Sequence, residues 1–383
     1  MVKGIHARNI CALAAGSLLL YFPGQILIQD TLLKQAVQPE MAEGGDTVQS
    51  WCQPSVKRHG RFVNPWATWT APGLGGLMKM VFKEKKPSLP TTEEIEARLP
   101  VIKPDFECLS KGPSPTTLST VWIGHATVLV QMDGLTILTD PIFSDRCSPV
   151  QFIGPRRYRP PPCSIEELPK IDAVVISHTH YDHLDLTSVK KLNERFGPSL
   201  KWFVPLGLKS WMTDVGCAEV IEMDWWQEEP YSEESNVKFV FTPAQHWCKR
   251  TAFDTDKVLW GSWCVLGSTN RFFFAGDTGY CEAFKQIGRK HGPFDLAAIP
   301  IGAYCPRWFM APQHVDPVQA VDIHCDVKAR YTLGIHWGTY NMGSTEPIFE
   351  PPEKFAESAK QKGLEEGEVF VLKHGEIKLI EKD

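Results

Sequence analysis

ISHTHYDHLD, residues 176–185, sets three histidines and two aspartates beside one another directly after an apolar run, DAVV. Four of these side chains, His178, His180, Asp182 and His183, fall within six positions. Imidazole and carboxylate are ligands of Zn, Fe and Mn, and a cluster so dense would be costly to bury without ions or protons to compensate it. The i, i+2 spacing lets His178 and His180 reach one ion from a turning backbone, while Asp182 and His183 reach a second.

Further along the chain the same punctuation recurs: an apolar, β-branched or aromatic run ends in His or Asp and a turn follows. VKFVFTPAQH ends at His246, RFFFAGD at Asp277 and YTLGIH at His336. Strand ends and their loops are where a rigid sheet presents side chains to a cleft. The reading that follows has His246 completing the first metal position, His336 the second, and Asp277 bridging the two. Taken singly, His246 and His336 read equally well as core or surface histidines, and Asp277 as a turn former. The cluster at 178–183 gives them weight, because a two-metal site needs ligands from elsewhere.

Around these positions short apolar runs (KWFVP, WCVLGS, LAAIPIG, EVFVLKHGEIKLI) alternate with helical segments, several of which stop at Gly. STVWIGHATVLVQMDGLTILTDP reads as two strands joined at Asp133-Gly134. Strands mixed with helices on this scale predict an α/β domain with substantial sheets over 119–383. Residues 31–118 read as an irregular arm packed on it, with one clear helix in TTEEIEARLP, capped by Thr91 or Thr92. GLGGLMKMVFKEKK, residues 73–86, suits either a membrane interface or an amphipathic packing helix.

The chain has 383 residues, 43% hydrophobic and 22% charged, with a formal charge of −5. That acidic balance argues against a nucleic-acid partner. Eleven scattered cysteines, an odd number with no CxxC pair, suit a reducing compartment better than a disulfide framework. Residues 1–30 form a separate membrane-associating or targeting segment. Lys3 and Arg8 precede an apolar run at 11–28, close to the roughly 20 residues that span a bilayer. Anchor, cleaved signal and surface-lying segment all remain open, with anchoring or association favoured over cleavage. The arginines of GPRRYRPPP, Arg156, Arg157 and Arg159, read either as a grip on phosphate or as a solvated turn.

HTHYDH, a distant His, the Asp of GDTG and the late His of IHWG together resemble the metallo-β-lactamase superfamily. Stretches such as GRFVNPW, WIGHATVLV, LTDPIFSDR, TPAQHWCKRT, RFFFAGDTGYC and QHVDP look like its N-acyl-phosphatidylethanolamine-hydrolysing phospholipase D family, over roughly residues 60–375. The resemblance implies a four-layer αβ/βα sandwich with two Zn2+ per subunit. His178, His180 and His246 would hold one zinc, Asp182, His183 and His336 the other, with Asp277 between them. It implies attack of a metal-bridging hydroxide on phosphorus, giving N-acylethanolamine and phosphatidic acid. His314, in APQHVDP, matches a histidine-bearing active-site loop, and Gln151 and Phe152 match groove-lining positions. A homodimer, bile-acid sensitivity and a membrane phospholipid substrate belong to the same implication. So does association with an endomembrane (Golgi, endosome or endoplasmic reticulum), on its cytoplasmic side.

Overall fold

The computed structural model describes residues 51–382 apart from residue 72, so the apolar segment 11–28 lies outside the described residues. A small hairpin, β1 (Lys57–Arg58) and β2 (Arg61–Phe62), opens them, followed by helices α1 (Leu74–Phe82), α2 (Thr92–Arg98) and α3 (Phe106–Lys111). Thr91 caps α2 in a capping box with Glu94, as the sequence led one to expect. Within the described part of residues 51–116 the chain thus carries three short helices and a two-stranded hairpin. Cys52, Phe62, Trp66, Ile95 and Leu99 belong to the main core.

The remainder builds two sheets of seven strands. The first holds β3 (Thr117–Gly124), β4 (Thr127–Met132), β5 (Leu135–Thr139), β6 (Ala173–Val175), β7 (Lys201–Pro205) and β8 (Glu219–Met223), with α4 (Leu186–Phe196) and α5 (Lys209–Asp214) between them. The second holds β9 (Glu228–Pro230), β10 (Lys238–Thr242), β11 (Ser262–Leu266), β12 (Arg271–Phe274), β13 (Phe294–Pro300), β14 (Ala329–Ile335) and β15 (Val369–Phe370). Its helices are α6 (Ala283–Lys290), α7 (Arg307–Met310), α8 (Pro317–Val327) and α9 (Glu350–Lys362). The last strand, β16 (Ile377–Glu381), returns to pair with β3 in the first sheet. The orders are β16-β3-β4-β5-β6-β7-β8 and β15-β14-β13-β12-β11-β10-β9.

STVWIGHATVLVQMDGLTILTDP forms three strands rather than the expected two. The Asp133-Gly134 hairpin is present, with Met132 opposite Leu135, but the chain also turns at His125, where φ is 55°. Every residue of β3 and β4 is buried, so the Gly124-His125 pair at that turn is flanked by buried strands on both sides.

Alternation along the first sheet explains the layering. Ala173, Val175 and Phe203 point to a core shared with Phe239, Phe241, Trp263, Phe272 and Phe274 of the second sheet. Their neighbours Val174, Trp202 and Val204 point the other way, into a second core closed by Val189 and Leu192 of α4 and Met212 of α5. Both faces are covered, and α8 packs on β13 and β14 on the far side, which gives the αβ/βα sandwich. β3, β5 and β6 run one way in the first sheet, as do β10, β12 and β14 in the second. The loops that follow these strands carry the site.

Candidate metal centre

Each side chain of the cluster leaves the end of one of these strands. His178, His180, Asp182 and His183 follow β6, His246 follows β10, Asp277 follows β12 and His336 follows β14. His336 takes a φ of 60°, a left-handed turn that aims its ring back over the sheet end. Gly276 also needs its freedom: at φ 60° a Cβ there would lie 2.6 Å from Ser177 Cβ.

All seven predicted ligands come together, and all are buried. Donor atoms of His178, His180 and His246 converge, with His180 Nδ1 at 2.8 Å from His178 Nε2 and 3.2 Å from His246 Nε2. His183 Nε2 and His336 Nε2 face Asp182 Oδ2 at 3.4 and 3.5 Å. Asp277 stands between the groups: its Oδ2 is 3.2 Å from His183 Nε2, 3.9 Å from His178 Nε2 and 3.8 Å from His246 Nε2, and its Oδ1 is 3.2 Å from His336 Nε2.

The outward nitrogens explain why the inward ones are available. Ser177 Oγ donates to Asp140 Oδ2 and so is left to accept from His178 Nδ1–H at 2.9 Å. His246 Nδ1–H donates to the Gln313 carbonyl at 3.0 Å, and His183 Nδ1–H to Asp140 Oδ2 at 2.7 Å. Each bond selects the tautomer whose Nε2 lone pair faces the centre, the arrangement usual for metal-ligating histidine. His183 Nε2, His336 Nε2 and Asp277 Oδ1 are buried with no hydrogen-bond partner. Buried polar atoms rarely go unpaired. Inward donors without protein partners are what a metal centre requires, so the residues fit two ions.

Electrostatics agrees. Burial disfavours the charged form of His178, taking it well below the ordinary value, and lowers His180 to about 4 and His246 to about 3. At His183 and His336 burial acts in the same sense but is outweighed by the Asp277 and Asp182 carboxylates. His183 rises well above its usual value and His336 to about 9. The carboxylates thus hold positive charge at this place whether a proton or a metal supplies it.

His314 joins the cluster, with Nδ1 at 3.9 Å from Asp277 Oδ2 and without a hydrogen-bond partner. Arg307 steadies its loop by donating to the His314 carbonyl at 2.8 Å and pairing with Asp316 at 3.1 Å. The other predicted contacts lie in loop 141–163. Gln151 bonds the backbone of Arg146 through both amide atoms, Phe152 is 83% exposed, and Arg156 pairs with Asp145 at 2.8 Å. Arg157 is buried, and its guanidinium donates to the carbonyls of Ser144 and Ile142 and lies over the Tyr340 ring. Those contacts give it a structural use without a ligand.

His125 and Asp140, absent from the sequence-based candidates, contact the side chains of the cluster. Both directly follow strands, β3 and β5, by the same punctuation that singled out the ligands. Asp140 accepts from Ser177 and His183, and His125 Nε2 lies 2.9 Å from Asp182 Oδ2.

A sandwich with histidine and aspartate converging at one sheet edge is the architecture of metal-dependent hydrolases of the β-lactamase superfamily, and the beta-lactamase superfamily domain matches residues 136–337. The chain is 45% identical over 316 residues to N-acyl-phosphatidylethanolamine-hydrolyzing phospholipase D 1 of Caenorhabditis elegans, covering 78% of this chain and 87% of that one. It is 39% identical over 249 residues to the mitochondrial N-acyl-phosphatidylethanolamine-hydrolyzing phospholipase D of Saccharomyces cerevisiae, covering 64% and 52% respectively. Within the superfamily, the chain therefore belongs to the family of the N-acyl-phosphatidylethanolamine-hydrolysing phospholipases D. The fold is shared with Igni18, a metallo hydrolase of Ignicoccus hospitalis, at a TM-score of 0.53 and 22% identity over 70% of this chain and 100% of that one.

Proposed function

We propose that this protein is a zinc-dependent phospholipase D-type hydrolase that cleaves N-acyl-phosphatidylethanolamine to N-acylethanolamine and phosphatidic acid. The observation that carries the reading is the complete ligand set, held at one sheet edge in a chain 45% identical to the Caenorhabditis elegans enzyme. His178, His180 and His246 would hold one zinc, and Asp182, His183 and His336 the other, with Asp277 between. Nitrogen and oxygen donors without thiolate are compatible with zinc, as with iron or manganese, and the choice of zinc rests on the family resemblance. Zinc held by these residues would supply Lewis acidity, for generating a nucleophile from water near pH 7 and for offsetting charge on the phosphoryl oxygens.

The protein's own groups do the rest. Asp277 keeps both positions close and lessens their repulsion. As the water oxygen bonds to phosphorus, the P–O bond to the N-acylethanolamine breaks, and the proton that the water gives up balances the one the leaving oxygen takes. His314 is the residue we assign to meet that oxygen. Its Nδ1 is unpaired beside Asp277, and burial lowers it to about 3, which keeps the ring neutral and able to orient a water or the leaving group by hydrogen bonding.

Lipid access is supported by apolar side chains on the loops that leave the same sheet edge. Phe152 and Phe253 are more than 80% exposed, in the loops after Asp140 and His246. Trp308, on the segment leading to His314, is exposed beside α1, whose Met78 and Phe82 are also exposed, and Lys79 lies over its ring. Aromatic and basic groups so combined suit a headgroup layer. Among the described residues no helix is long and apolar enough to cross a membrane.

The remaining parts of the reading rest on the family. They are a homodimer, bile-acid sensitivity and residence on the cytoplasmic face of an endomembrane, while the membrane-associating segment at 1–30, the arm at 31–118 and the catalytic domain at 119–383 are proposed from the sequence pattern. Gln151, Phe152, Arg156 and Arg157 stand in the proposal as groove and headgroup residues, with Arg157 acting from behind through the Ser144 and Ile142 carbonyls.

The test joins metal content to product identity. Purified protein is analysed for zinc, then incubated with N-acyl-phosphatidylethanolamine in mixed micelles beside a His178→Ala, Asp277→Ala variant. Two zincs per chain with metal-dependent release of both products is the expected result. Two zincs without those products would overturn the substrate while leaving the metal centre standing.

A further inference from the structure

His125 lies outside the seven ligand positions, yet its contacts converge on one of the two metal positions. It turns the chain after β3 at φ 55°, and its ring is 1% exposed. Its backbone N–H donates to Thr339 Oγ1 at 2.7 Å, and its carbonyl accepts the N–H of His336 at 3.0 Å. The ring centroid is 4.0 Å from that of His336 and 5.3 Å from that of His183.

Nε2–H donates to Asp182 Oδ2 at 2.9 Å, the carboxylate oxygen that also faces His183 and His336. The other ring nitrogen, Nδ1, has no hydrogen-bond partner. The ring's hydrogen bonding is therefore spent on Asp182. His178 and His246 are held by different means, through Ser177 and the Gln313 carbonyl. A free aspartate carboxylate turns about its last torsion. One fixed by a buried donor does not, so a ligand held in this way is pre-aimed.

We propose that His125 is a positioning residue that fixes Asp182, and through its carbonyl His336, and so sets the affinity of the second metal position independently of the first. This rests on the two-metal reading above.

The left-handed backbone at residue 125 makes the test specific. His125→Asn suits that conformation, since Asn is among the residues that tolerate it, but its amide ends short of Nε2. His125→Gln fits the backbone less well yet carries an N–H at about the depth of Nε2, so recovery by Gln cannot come from backbone relief. Metal-free wild type and both variants are titrated with zinc against a chromophoric chelator, bound zinc is counted by elemental analysis, and folding is followed by thermal melts.

Wild type is expected to take two ions. His125→Asn should keep the first step and weaken the second by about 10–100-fold, the range typical of residues that orient a ligand. His125→Gln should recover a measurable part of that loss. An unchanged second step in His125→Asn, a parallel loss of both steps, failure of that variant to fold, or no recovery by Gln would each overturn the proposal while leaving the two-metal site intact. Fewer than two ions in wild type would overturn the two-metal reading and this inference with it.

Discussion

At His314, Nδ1 faces Asp277 Oδ2 across 3.9 Å with no hydrogen-bond partner, whereas His246, 5.3 Å away ring to ring, has its Nδ1 tied to the Gln313 carbonyl. The tie aims His246 Nε2 at the centre, and the lack of one leaves His314 for the reacting groups. His314→Ala is accordingly expected to lower kcat by about 10²–10³-fold, the usual worth of a positioned hydrogen-bonding group, with zinc content unchanged. Steady-state kinetics with metal analysis on the same preparation checks both halves, and loss of zinc would reassign His314 to the ligands. Asp277→Ala should act oppositely, losing metal as well as turnover, because the carboxylate contacts groups of both positions. These residue types were legible in the sequence. The sequence already put His246 among the candidate ligands and His314 on an active-site loop; what it did not show is the carbonyl, 67 residues from His246, that ties the one ring and not the other.

The elements carry the site through the backbone at their ends. Trp263, on β11, is fully buried between the sheets and donates from Nε1 to the Ile176 carbonyl at 2.8 Å, two residues before His178. Trp263→Phe keeps an aromatic ring but removes that donor. The expected cost is about 1–3 kcal/mol, the penalty for a buried polar group left unpaired, read as a shift of the denaturant midpoint. Gly276→Ala would press a Cβ against Ser177, which anchors Asp140 and His178. A destabilisation of about 1–3 kcal/mol is expected from the φ of 60°, with weaker zinc binding besides, measurable by thermal melts with and without metal. Most strands and the helices between them were readable from apolar runs and Gly stops. The division of β3 from β4 was not read, because its Gly124-His125 turn is a single short interruption between two buried strands.

For the whole molecule, two solution properties follow. Chelation should lower the melting temperature by on the order of several degrees and zinc should restore it, because a ligand that binds only the folded state stabilises it by mass action. Acid should also destabilise the fold through buried neutral histidines away from the metals. His324 on α8, bonded through Nδ1 to Thr332 Oγ1, is lowered by burial to about 4 from 6.5. Between those values the unfolded chain binds the extra proton and the folded chain does not. Stability therefore rises with pH across the window and falls as pH drops from 6.5 toward 4. His324→Gln should flatten that slope in urea titrations at pH 4.5, 5.5 and 6.5, and an unaltered slope would remove His324 from the account.

By itself the sequence pointed to the α/β class, to strand ends as the bearers of the chemistry and to seven candidate ligands, which the fold brings together. Each of these is a local signal: an apolar run, a His or Asp, then a turn. Only the tertiary structure decided what fixes those ligands. His125 reaches Asp182 across 57 residues and Asp140 reaches His183 across 43, and both look like ordinary strand-end residues along the chain. It also put Arg157 to use behind Ser144 and Ile142, where the sequence left a phosphate grip and a solvated turn equally open. A ligand is recognised by its type and its place on a strand, but its partner is chosen by how two sheets face one another, and no spacing along the chain encodes that distance.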